Sequence, residues 1–222
     1  MTTPTPTTLP RPQPVGLFAF PASHLLLPLC EDSPADSARG ALLRGDLEPH
    51  LPAAWQFFLT AARGDGAAAA AQVIGDDPVA TFNRFVLAPS PEGLTQLEET
   101  ADPILVPLAR AAAFAHGLVD DVTDASHLDG ELRAMVLVTV AAARIEQDRL
   151  SEACVALDAA ATAAATASPL LEALALVQLA DAQSAAADTN DPAPLLRRAL
   201  ELTTNTQLPL VRAEILMKLG VI

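Results

Sequence analysis

The sequence predicts an all-α fold, an array of antiparallel helix pairs, on three observations. First, hydrophobic residues make up 51% of the chain, much of it alanine, while aromatics are 4% and tyrosine is absent. Alanine is the strongest helix former and lets helices approach closely. The scarcity of β-branched and aromatic runs leaves little material for a large sheet. Second, from about residue 35 onward, helix-like stretches alternate with Gly-Asp, Asp-Pro or Ser-Pro steps, which end one helix and begin another. Third, the breaks are short, and short connections make successive helices antiparallel neighbours. A length of 222 residues suffices for one large or two small domains with a sizeable core.

The chain divides into four segments. Residues 1–14, MTTPTPTTLPRPQP, hold five prolines and five threonines and are expected to form a disordered or extended arm. Residues 15–34 form an apolar segment expected to dock on the body or on a partner. Its run VGLFAFPASHLLLPLC is too short to span a membrane and is broken by Pro21 and Pro28. No positive cluster precedes it, so a secretory signal is not expected. Residues 35–120 read as divergent helical hairpins, with helices over 35–44, 49–62, 66–74, 78–87, 91–100 and 103–118. Residues 130–222 read as regular repeats, with helices over 130–147, 150–167, 169–187, 192–204 and 209–221.

The repeat is visible when Ala134, Ala173 and Ala213 are set as equivalent starts, spaced 39 and 40 residues apart. Each unit then carries a large residue followed by a small one, at Val140-Ala141, Leu179-Ala180 and Leu219-Gly220. Leu157 and Ala160 in the first unit match Leu196 and Ala199 in the second, and a proline, Pro169 or Pro209, begins the next unit. The stretches AMVLVTVAAARIEQDRLSEACVALDAAA (134–161), RRALEL (197–202) and AEILMKLGVI (213–222) resemble the tetratricopeptide repeat family. The resemblance covers about residues 130–222 and implies a TPR-like α-solenoid. It places Ala141, Ala153 and Ala160 on the family's small positions and Leu150 and Leu157 on its large ones. The unit is longer than the family's usual length of about 34 residues. Arg144 stands near the usual aromatic position, and Pro192 where a small helix residue is expected.

Net charge is −14, from 27 acidic against 13 basic residues, of which Lys218 is the sole lysine. Such a surface repels phosphate backbones, so nucleic acid is not an expected partner. Cys30 and Cys154 lack metal-type spacing and read as reduced thiols in a cytoplasmic protein. High alanine and arginine with almost no lysine suit a bacterial source of high GC content.

Motif-like stretches resolve into turn chemistry. Arg44-Gly45-Asp46 and Arg63-Gly64-Asp65 each sit between helices, where Gly ends one and Asp approaches the next. The acidic loop DDVTDASHLDGE (120–131) offers Asp120, Asp124 and Glu131 at calcium-loop positions. Val122 and Ala125 occupy places that need a ligand and a glycine, so it reads as an inter-helix loop with Asp129 or Ser126 capping the helix that follows. His24, His50, His116 and His127 show no zinc pattern, and His116 falls at a helix end, where a cation or a hydrogen bond to terminal carbonyls is favourable. Glu98-Glu99 reads as a solvated helix face. Trp55, Phe57, Phe58, Phe82 and Phe85 read as core of the N-terminal half. No catalytic or cofactor signature is present in the sequence.

In the tetratricopeptide family the first helices line a concave groove. That register implies a mostly apolar partner-binding groove of Met135, Val138, Ala142, Leu174, Val177 and Asp181, with Arg144 and Gln178 nearby. An apolar groove suits a helix or apolar segment as ligand. Met217, Leu219, Val221 and Ile222 give the C-terminal helix an apolar face, which either caps the array or joins copies into a homo-oligomer. The expected function is a non-enzymatic protein–protein interaction module, an adaptor or scaffold without cofactor. A ligand- or peptide-sensing helical-repeat regulator is the alternative.

Overall fold

The computed structural model describes Thr60 and residues 66–120, 125–128, 130–186, 191–204 and 209–220. The Pro/Thr arm, the apolar segment, the helix expected over 35–44 and both Arg-Gly-Asp tripeptides lie outside the described residues. So do Cys30, His24, His50, Trp55, Phe57 and Phe58. Of the helix expected over 49–62, Thr60 is described and is helical.

All regular structure among the described residues is helical. In chain order the elements are α1 (Gly66–Gln72), α2 (Pro78–Leu87), α3 (Pro91–Glu99), α4 (Leu105–Ala115), a 3-10 turn (Ala125–His127), α5 (Gly130–Glu146), α6 (Leu150–Ala164), α7 (Pro169–Ala185), α8 (Ala193–Leu202) and α9 (Pro209–Lys218).

The helix starts follow from the Asp-Pro and Ser-Pro steps. The Asp77 carboxylate accepts a hydrogen bond from the Ala80 amide at 2.9 Å, and the Ser90 hydroxyl oxygen accepts one from the Gly93 amide at 3.0 Å. Asp102 accepts from the amides of Ile104 and Leu105 at 2.8 and 2.9 Å, and Ser168 accepts from Leu171. Each satisfies amides that the helix cannot pair internally, and the proline that follows lacks one of those amides and has its φ preset.

Several helices stop earlier than the sequence pattern implies. The helix expected over 103–118 ends at Ala115 because Gly117 adopts φ +67°, and the Leu118 amide then donates back to the Ala113 carbonyl at 2.9 Å. Asp148, at φ +59°, ends α5 the same way, with the Arg149 amide donating to the Arg144 carbonyl at 2.8 Å. These are left-handed stops that satisfy the last carbonyls. Leu118 still packs against the core beyond its stop, so the apolar periodicity outlasts the helix.

Successive helices pack on each other, and α2 also packs on α4 and α5 on α7. One continuous apolar cluster runs from Phe82 and Phe85 on α2 to Ile215 on α9, with alanines throughout. The repeat has a structural counterpart. Helices α5 and α7 are each 17 residues long and begin at the equivalent positions Gly130 and Pro169. Val140, Ala141, Leu179, Ala180, Leu157, Ala160, Leu196 and Ala199 are all buried. In the third unit Ala213 and Leu219 are only partly buried. Helix α7 is buried continuously from Leu171 to Ala180, as expected of a helix apolar on every side.

Candidate interaction surface

The residues expected to line a groove occupy equivalent places on α5 and α7. Met135 and Val138 on α5, and Leu174 and Val177 on α7, are buried in the core cluster. The expectation of an open apolar groove is corrected for these four: their surface is already used in packing. Ala142 and Arg144 are partly exposed. Arg144 crosses from α5 to the first turn of α6, where its guanidinium donates to the Glu152 carbonyl at 3.3 Å.

Gln178 is 5% exposed, and neither its amide oxygen nor its amide nitrogen has a hydrogen-bond partner. A buried amide in that condition carries its desolvation cost uncompensated. Its equivalents in the neighbouring units are Thr139 and Lys218. Thr139 is buried and satisfied within its own helix, donating to the Met135 carbonyl at 2.9 Å. Lys218 extends to Asp181 on α7, with its ammonium 2.7 and 2.9 Å from the two carboxylate oxygens. Glu214, one turn back on α9, lies 3.5 Å from the same ammonium. Burial pulls the Lys218 pKa down, but the hydrogen bond and charge of Asp181, with Glu214, outweigh it and hold the value above the ordinary lysine range.

Comparison with protein families, curated proteins and solved structures finds no match to this chain. Function must therefore be argued from the surface itself.

Two further ion pairs fasten helices. Arg110 on α4 meets Glu98 on α3 at 2.7 Å, so Glu98 joins two helices and is not merely part of a solvated face. Arg198 on α8 donates to the buried Glu172 on α7 at 3.0 Å, while the second Glu172 oxygen stays buried without a partner. Sequence reasoning missed this pair because their 26-residue separation has no local pattern. The available signal was an acid, Glu172, in the apolar first half of α7.

His116 follows α4, its amide donating to the Ala112 carbonyl at 3.0 Å. Burial lowers its pKa against the opposing pull of Glu146, which disfavours the cation, one of the two alternatives expected at that helix end. Phe82 and Phe85 are core, as expected. Among the described residues no group of three or more His, Cys, Asp or Glu could hold a metal ion; Asp124 and Asp129 of the acidic loop lie outside them. No described helix is long and apolar enough to cross a membrane.

Among the described residues the exposed large apolar side chains are scattered: Ile74 after α1, Val155 on α6 and Met217 on α9 are 67%, 70% and 62% exposed. Leu219 packs partly against the core, and Val221 and Ile222 lie outside the described residues.

Proposed function

We propose that the chain is a non-enzymatic protein–protein interaction module, a TPR-like α-solenoid serving as an adaptor or scaffold subunit of a bacterial complex. The observation that carries this reading is the 39-residue recurrence. It coincides with two helices of equal length whose equivalent positions are buried alike. Packing of α5 on α7 and of α2 on α4 adds the once-removed contacts that a stacked array makes. Such an array holds a surface rigid through neighbour-to-neighbour packing, so a partner docks without the entropic cost of ordering it.

The test is capture by the full-length chain, cross-linked in extract of its source and resolved by mass spectrometry. The expected outcome is a reproducible partner whose recovery drops at least fivefold when Ile74, Val155 or Met217 is changed to Glu. A chain that captures nothing above the control, and stays monomeric in light scattering at every concentration, would overturn the reading.

A further inference from the structure

We draw no further inference here: the strongest candidate, the surface patch of α9 around Met217, which is 62% exposed, carries nothing because nothing in the structure shows what covers it.

Discussion

Gln178 shows how one side chain can be legible as a position and illegible as an environment. The register placed it near the inner face, but glutamine is usually found at surfaces, and nothing local signals that α7 is covered on all sides around it. Thr139, its equivalent in the preceding unit, is also buried, but its hydroxyl reaches back to its own helix. A longer amide cannot do so as readily. The burial without a partner makes Gln178 a cost to the fold. Gln178→Leu should raise stability by about 1–3 kcal/mol, the desolvation penalty of a buried unpaired polar group. The check is urea unfolding with an unchanged slope and a higher midpoint. A fall in the midpoint would mean that the amide is satisfied in solution, by water or by a segment outside the described residues. Glu172 differs, because one of its oxygens is held by Arg198.

At the scale of the element, starts were more legible than stops. Asp77-Pro78, Ser90-Pro91, Asp102-Pro103 and Ser168-Pro169 announce both the capping acceptor and the first helical residues, and the described helices begin there or within two residues. Stops depend on a backbone dihedral, which a sequence rich in alanine and leucine does not advertise. Asp148 gave no glycine signal, yet it adopts the left-handed conformation that ends α5. The tethering of α9 was hidden for another reason. Lys218 and Asp181 lie 37 residues apart, and their pairing needs the fold. It carries a pH dependence whose sign is fixed. The Lys218 pKa is raised in the folded chain above the ordinary value of 10.5. Its contribution is therefore fully present below that value and is lost as pH rises through the folded one. Protection of the α9 amides, corrected for the intrinsic rise of exchange with pH, should fall above about pH 10.5 relative to α7. In Lys218→Met that alkaline step should disappear. If the step persists, another group holds the helix.

For the whole molecule, the sequence showed the all-helical class, the order of the described helices and the 39-residue period. It did not show which faces are covered. Ala141, Ala160 and Ala180 mark buried positions, but alanine is nearly as acceptable at a surface. A helix such as α7, apolar on every side, has no polar face from which to infer orientation. Met135, Val138, Leu174 and Val177 were for that reason assigned to a groove when they belong to the core. The arrangement that results is graded. The core cluster is continuous from α2 to α9, but α7 lies within it, meeting α5, α6 and α8, whereas α9 contributes Ile215 at its edge. Two truncations of fully buried side chains should therefore behave differently. Leu174→Ala opens a cavity in α7 with neighbours on several sides, and should cost about 2–5 kcal/mol of global stability. It should shift the urea midpoint seen by circular dichroism and lower amide protection across α5 to α8 together. Ile215→Ala removes a similar volume, but from a helix that packs on α8 at the edge of the cluster, where local opening is expected to cost less than global unfolding. It should leave the urea midpoint of the main transition nearly unchanged and lower protection in α9 alone. Equal shifts in the two variants would show that α9 unfolds only with the rest, and that the array is one cooperative unit from α5 to its last described helix.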